Sequence, residues 1–219
     1  MKLQMKPVSK NKTTRELIYE ELKKAILTKE ISEKEILTET LLAETLNTSR
    51  TPIREAVAEL VKEGLLVHIP RKGFQVRKIS RNESNQIIFL RQTIEAEGMK
   101  NLSSTIHIHQ IVEIENVVEQ QKNAMENNDR ILFIELDLLF HTKLLQFANL
   151  NVFEQVLHEM YNLTLLVGHH ALMKEGRMKE VIIEHKNIIL ALKESGNAEE
   201  KLLNHLNITK QHVMNMSEE

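Results

Sequence analysis

A chain of 219 residues, 42% of them hydrophobic, has room for one large core or two smaller ones. No apolar run nears the roughly 18 residues that cross a bilayer, so no membrane partner is expected, and the absence of cysteine excludes disulfides and thiolate metal sites and agrees with a cytoplasmic setting. The net charge of −2 is unevenly spread: residues 1–80 carry 16 Lys/Arg against 11 Asp/Glu (+5) and residues 81–219 carry 13 against 20 (−7), so a polyanion partner is expected for the first part alone.

Residues 1–12 are basic, lack the apolar stretch of a signal peptide and read as a flexible arm. Thr13 or Thr14 can cap a first helix to about Thr28, with Leu17, Ile18, Leu22, Ala25 and Ile26 on its apolar face. A connector, Ile31 to Leu37, leads to a second helix capped by Thr38 and carrying Leu41, Leu42 and Leu46. Asn47 follows, a residue that tolerates a left-handed turn. The third helix begins near Ser49–Pro52, with Ser49 or Thr51 as cap and a proline in its first turn. Ile53, Val57, Leu60 and Val61 form its buried stripe, and Gly64 ends it. Leu65–Ile69 and Gly73–Arg77 read as two short strands around the turn Pro70-Arg71-Lys72-Gly73. From Ser80 the pattern is helical in six segments, roughly 83–103, 108–127, 129–148, 151–172, 178–195 and 198–216. The expected fold class is mainly α: an N-terminal winged helix-turn-helix, then an all-α bundle of about six helices.

Arg50 and Arg54 lie four residues apart, on the face of the third helix opposite its buried stripe. Beside them stand the hydroxyls of Ser49 and Thr51 and the free N–H groups of a helix start. Arginine forks grip guanine edges, while hydroxyls and N–H groups hold phosphates. The basic tip Arg71-Lys72-Gly73 can follow the DNA backbone or enter the minor groove. Two arginines alone would read as a solvated helix face. The order of cap, turn and wing favours DNA.

The run Leu37-Thr38-Glu39, Leu42-Ala43, Leu46-Asn47-Thr48-Ser49-Arg50-Thr51-Pro52-Ile53-Arg54-Glu55-Ala56, Leu60 and Glu63-Gly64-Leu65-Leu66 resembles the winged helix-turn-helix of the GntR family, over about residues 13–78. The resemblance implies that Arg50 and Arg54 contact operator bases or phosphates, that Thr38, Ser49 and Thr51 belong to the same DNA-binding set, and that the Gly73 turn is the wing. Two positions depart from the family pattern. Asn47 stands where glycine is frequent, and Glu33–Lys34 where Pro-Gly is frequent.

In the second part, Asp137 lies among Phe133, Ile134, Phe140 and Leu144 at helical spacings, with His141 four residues on. His185 falls with Val181, Ile182, Ile188, Ile189 and Leu192, and His205 with Leu202 and Ile208. A carboxylate on an apolar stripe needs a partner or a metal. One inward histidine is ordinarily a hydrogen-bonded core residue, but a carboxylate and three imidazoles on three helices suit Zn, Mn, Ni or Fe. Arg91, among Ile87, Ile88 and Ile94, needs an anion: Glu95, a neighbouring helix or a ligand carboxylate. The adjacent His169 and His170 point about 100° apart and read as surface or rim residues. His107 and His109 read as solvated.

Leu90-Arg91, Ile94-Glu95, Asp129, Phe133, Asp137, Phe140-His141, Glu184-His185, Ile188, Ala191-Leu192 and His205-Leu206 together resemble the all-helical FCD domain of the fatty-acid-regulator branch of the same family. The resemblance implies a divalent metal held by Asp137, His141, His185 and His205, with Zn ahead of Mn, Ni or Fe, and a small carboxylate effector near the metal and Arg91. The combined expectation is a non-enzymatic, homodimeric regulator of a palindromic DNA operator. Its division would be an arm (1–12), a DNA-binding domain (13–78) and an effector, metal and dimerisation domain (79–219). The alternatives are a regulator for which the ion itself is the signal, and a metalloenzyme. Against the second, no nucleophile or general base stands beyond the ligands.

Overall fold

The computed structural model describes residues 12–172, 174–194 and 196–215, which divide into two units at Arg77–Lys78. The N-terminal arm falls outside the described residues except for Lys12, whose Nζ is 2.6 Å from Glu20. Among the described residues no helix is long and apolar enough to cross a membrane.

In the first unit, α1 (Thr14–Leu27) begins with a capping box in which Thr13 and Glu16 satisfy each other's backbone N–H groups. Thr38 caps α2 (Glu39–Thr45) by accepting from Leu41 N at 3.1 Å. Ser49 precedes α3 (Arg50–Lys62) and makes no side-chain cap bond. Gly64 follows α3 with φ +75°, the left-handed turn expected of it. β1 (Leu66–Ile69) and β2 (Gly73–Val76) pair antiparallel, Leu66 opposite Val76 and Ile69 opposite Gly73. Leu37 joins them through two backbone bonds with Phe74, each 2.8 Å.

Ile18, Leu22 and Ile26 of α1 and Ile53, Val57 and Leu60 of α3 are buried, and the two helices pack on each other. Leu17 and Leu41, expected on apolar faces, are about half exposed at 54% and 47%. Each sits about 100° around its helix from the buried Ile18 or Leu42, at the margin of a narrow stripe.

Among the described residues of the second unit seven helices follow: α4 (Arg81–Leu102), α5 (Ile108–Glu126), α6 (Arg130–Phe147), α7 (Asn151–Glu159), α8 (Tyr161–Ala171), α9 (Arg177–Lys193) and α10 (Ala198–Asn215). Ser80 and Glu83 form the capping box of α4, and Asp129 caps α6 by accepting from Leu132 N at 3.0 Å. Asn128 and Asn149 carry φ of +54° and +57°, so asparagine supplies left-handed residues at two breaks between helices, as Asn47 does at +46° before α3. One correction concerns the expected segment 151–172. It is two helices meeting at Met160 (φ −92°, ψ 1°), so the described residues of the bundle form seven helices where about six were expected. No glycine or proline marks this break, and hydrophobic periodicity cannot register so small a change of backbone angle.

Helix α6 lies at the centre, burying Phe133, Leu136, Leu138, Phe140 and Leu144 on several sides, and packs against α4, α5 and α8. Its Asp137 and His141 are carried into the core with them.

Gly73 is required by space as well as by angle. Its φ is +136°, and a Cβ there would lie 2.2 Å from the carbonyl oxygen of Leu37. Gly176 has φ +80° with nothing within 4 Å of a Cβ. Gly73→Ala should therefore cost the first unit about 3 kcal/mol or more, and Gly176→Ala should cost the second about 1 kcal/mol. Hydrogen exchange at the Leu37 and Phe74 amides checks this. It should accelerate in Gly73→Ala and remain unchanged in Gly176→Ala.

Candidate functional site

Two sites emerge, one in each unit. In the first, α2 and α3 are joined by a tight turn in which Thr48 N donates to Ala43 O at 2.9 Å and Asn47 takes the left-handed conformation. Arg50 and Arg54 project from the first turns of α3 with side chains 61% and 66% exposed, and both reach Glu39 at the start of α2. Arg54 grips it through two bonds of 3.0 Å, and Arg50 adds one of 3.2 Å. The bond from Arg54 holds the Glu39 carboxyl below its ordinary range despite partial burial. Such exposed pairs contribute little stability, but this one sets the two guanidiniums side by side.

Ser49 and Thr51 are exposed near them, whereas the Thr38 hydroxyl is committed to capping α2. At the wing tip Lys72 N donates to Ile69 O at 3.0 Å, closing a turn with Pro70 second and Arg71 third. Arg71 has φ +64°, a conformation better suited to Gly or Asn. Arg71 and Lys72 are both exposed.

In the second unit Asp137, His141, His185 and His205 come together, all buried, with one ligating atom of each within 4.8 Å of the others. His141 and His205 face each other Nε2 to Nε2 at 3.2 Å. His185 Nε2 is 3.4 Å from Asp137 Oδ1, and His141 Nε2 is 3.9 Å from Asp137 Oδ2. The other nitrogen of each ring has its own acceptor. His185 Nδ1 meets Gln121 Oε1 at 2.9 Å, and His205 Nδ1 meets Glu184 Oε2 at 2.6 Å. His141 Nδ1 lies 2.6 Å from Glu95 Oε2, bent from the line of an ideal hydrogen bond. Phe140 stacks on His185 with centroids 4.0 Å apart and fixes its plane.

This arrangement determines where the protons sit. An imidazole whose Nδ1 faces a carboxylate or amide oxygen carries its proton there, leaving a lone pair on Nε2. Three such lone pairs and a carboxylate then converge among buried side chains. Two lone pairs 3.2 Å apart repel each other, and His185 Nε2 has no hydrogen-bond partner among the described residues. A cation removes both problems. Donors about 2.0–2.2 Å from one ion stand about 3.0–3.5 Å from each other; two pairs here lie at 3.2 and 3.4 Å, within a set whose ligating atoms are all within 4.8 Å. The residues fit a divalent metal ion.

Charge balance around the cluster is equally specific. Burial would raise the Glu95 carboxyl, but Arg91 and His141 overcome it and hold it at about 2. Glu184, raised by burial, is likewise brought to about 2 by His205 and Arg177. Burial, followed by the neighbouring His205 and His141, pushes His185 well below 6.5. Burial also lowers His205, opposed by its bond to Glu184.

All four expected ligands meet, and Arg91 is buried beside them with its Nε 2.7 Å from Glu95 Oε1. Among the partners proposed for it, Glu95 is the one present. His169 is corrected from surface to buried, at 7% exposure, while His107 and His109 are exposed. Gln121 and Arg177 were missed. Gln121 occupies the stripe of Val117, Val118 and Ala124, so a polar residue on an apolar face was the available signal. Arg177 precedes Val181 by four residues and Glu184 by seven, on one face of α9, but the expected helix began one residue too late to include it.

A winged helix-turn-helix followed by a helical bundle with a buried polar centre is the architecture of a two-part DNA-binding transcription regulator. Residues 14–76 match the model for bacterial regulatory proteins of the gntR family, and residues 86–207 match the FCD domain. The chain is 30% identical over 173 residues to the HTH-type transcriptional repressor RspR of Escherichia coli (strain K12), covering 78% of this chain and 73% of that one. It is 26% identical over 204 residues to the HTH-type transcriptional regulator YdhC of Bacillus subtilis (strain 168), covering 92% and 91%. Among solved structures, a GntR transcriptional regulator from Rhodococcus sp. RHA1 aligns with a TM-score of 0.73 at 19% identity, over 93% of this chain and 98% of that one. E. coli McbR/YncC aligns at 0.67 and 20%, over 92% and 95%. The chain belongs to the GntR family and carries an FCD domain; it is a transcriptional regulator and not an enzyme.

The shifted groups predict how metal-free protein responds to acid. His185 and His205 stay neutral in the fold while the unfolded chain takes up protons below about 6.5, so stability falls as pH drops through that value. Glu95 and Glu184 titrate near 2 folded and 4.5 unfolded, so their contribution is complete above 4.5 and is lost as pH falls towards 2. Urea midpoints should decline steadily from pH 7 downward. A midpoint unchanged between pH 7 and 5 would contradict the buried neutral histidines.

Proposed function

We propose that this regulator acts as a homodimer whose affinity for a palindromic operator is set by a small carboxylate bound beside a divalent metal ion. In this reading residues 13–78 hold the DNA and residues 79–219 hold metal, effector and dimer contacts. The observation that carries it is the convergence of three buried imidazoles and a carboxylate, with Nδ1 of His185 and of His205 each at hydrogen-bond distance from an acceptor and His141 Nδ1 2.6 Å from Glu95 Oε2.

Asp137, His141, His185 and His205 would hold the ion. Zn is favoured by a set of three nitrogens and one oxygen, and Mn, Ni and Fe accept the same donors. The ion would supply a Lewis-acidic position for a carboxylate oxygen. Arg91 is the residue to receive the other end of that anion. One of its bonds goes to Glu95, and its Nη2 is buried with no hydrogen-bond partner among the described residues. In the first unit, Arg50 and Arg54 would read base edges or phosphates from the N-terminus of α3, with Ser49, Thr51 and Thr38 nearby and Arg71, Lys72 and Gly73 at the wing. The effector must bind two arrangements of the dimer unequally to regulate it.

Native mass spectrometry of untagged protein never exposed to chelator tests the metal centre. One divalent ion per protomer is expected, absent in His185→Ala and Asp137→Ala. No ion after Zn, Mn and Ni have been offered would refute it. Arg54→Ala should weaken binding to duplexes selected by the wild type from a random pool by about tenfold or more, while keeping its metal. Loss of both together would refute separable sites. Duplex binding that follows free Zn with no organic acid present would make the ion itself the signal.

A further inference from the structure

We infer that Arg177 is a positioning residue for the metal centre, acting through Glu184 on His205. The inference rests on the metal-binding reading above and concerns a residue that lies outside the ligand set.

Arg177 is the first residue of α9, and its side chain is wholly buried. A buried guanidinium persists only against an anion held in good geometry. Here Nη1 donates to Glu184 Oε1 at 2.5 Å and Nη2 to Glu184 Oε2 at 2.9 Å, the fork-on-carboxylate pairing that lysine cannot make. Nη2 also donates to Thr209 Oγ1 at 3.1 Å, and Nη1 reaches Glu180 Oε2 at 3.3 Å. The carboxylate gripped in this way is the one that receives His205 Nδ1. Thr209 stands one helical turn beyond His205 on α10. One guanidinium thus holds both the anion that orients the imidazole and the helix that carries it.

A second set on other helices repeats the arrangement. Arg91 pairs with Glu95, and Glu95 faces His141 Nδ1. The third imidazole, His185, meets the neutral Gln121; among the described residues the Gln121 Nε2 has no hydrogen-bond partner and no arginine joins that relay. Arginine accompanies the carboxylate relays and not the amide one. Arg177 is bonded to the same carboxylate that receives His205 Nδ1, which is what points to a role at the metal centre; a simple clamp between α9 and α10 is the alternative that the variants below distinguish. With its arginine in place, Glu184 acts as a fixed acceptor with its charge already matched, and His205 keeps the Nδ1-protonated form and the ring angle that aim Nε2 inward.

The test is Zn competition against a chromophoric chelator, on full-length wild type, Arg177→Met, Arg177→Lys, Glu184→Gln and the double variant Arg177→Met/Glu184→Gln. Arg177→Met should weaken Zn binding by roughly 10- to 100-fold. Arg177→Lys, which keeps charge and stem, should retain most of the metal-free melting temperature and still bind Zn more weakly. In the Glu184→Gln background, adding Arg177→Met should change Zn affinity by less than about twofold, because the route to His205 is already altered. In metal-free protein, ¹⁵N shifts should report His205 with its proton on Nδ1 in wild type and a mixture of tautomers in the Arg177 variants. Losses that multiply in the double variant, or wild-type Zn affinity in Arg177→Lys, would overturn the inference while leaving the metal centre standing. Failure of the wild type to bind Zn, and Mn or Ni offered in its place, would overturn both.

Discussion

Inside the helical unit, three imidazoles and a carboxylate sit where water does not reach, and every polar atom there must be satisfied by protein or by a cation. That constraint accounts for much of the surrounding chemistry. It explains why Gln121 is buried on α5, why Glu95 and Glu184 sit behind two of the rings, and why two arginines are buried behind those carboxylates. Glu95 gives Arg91 a partner and Glu184 gives one to His205 and Arg177, while Arg91 Nη2, Glu95 Oε2 and Gln121 Nε2 stay without a hydrogen bond among the described residues. At the centre His185 Nε2 has no hydrogen-bond partner among the described residues and the Nε2 atoms of His141 and His205 face each other at 3.2 Å, features a divalent ion would use.

The same constraint explains the architecture. A four-group cluster cannot be built on one helix, because only residues three or four apart share a face. Asp137 and His141 use that spacing on α6, and the other ligands must come from α9 and α10. Their supporting acceptors come from α4, α5 and α9. The site therefore depends on the packing of the whole bundle. At Gly168 of α8 a Cβ would meet Ile134 Cδ1 of α6 at 2.3 Å, so the Ile134 side chain would have to move to admit one.

The first unit is organised on the opposite principle. Ser49, Arg50, Thr51, Arg54, Arg71 and Lys72 are exposed, and local devices place them: the Thr38 cap, the left-handed Asn47, the turn at Pro70–Arg71 and the glycine pressed against Leu37. Each acts over a few residues. Glu39 is the exception, since it gathers Arg50 and Arg54 from 11 and 15 residues away. Its role became apparent only when α2 and α3 were seen together.

By itself the sequence determined the local features of this protein: the caps, the asparagine breaks, the hairpin, the stripe on α3 and the inward face of α6 that carries Asp137 and His141. These follow from spacings of two, three and four residues, which the chain expresses directly. The inward direction of His185 and His205 was legible for the same reason, and the family resemblance joined them into one set. Only the tertiary structure decided the rest. It chose Glu95 for Arg91, placed Gln121 and Glu184 behind their rings, buried His169, divided the helix at Met160 and exposed Leu17. A pairing such as Gln121 with His185 spans 64 residues and two helices. Nothing in either residue's own neighbourhood distinguishes that partner from other polar groups until the helices pack and water is excluded between them.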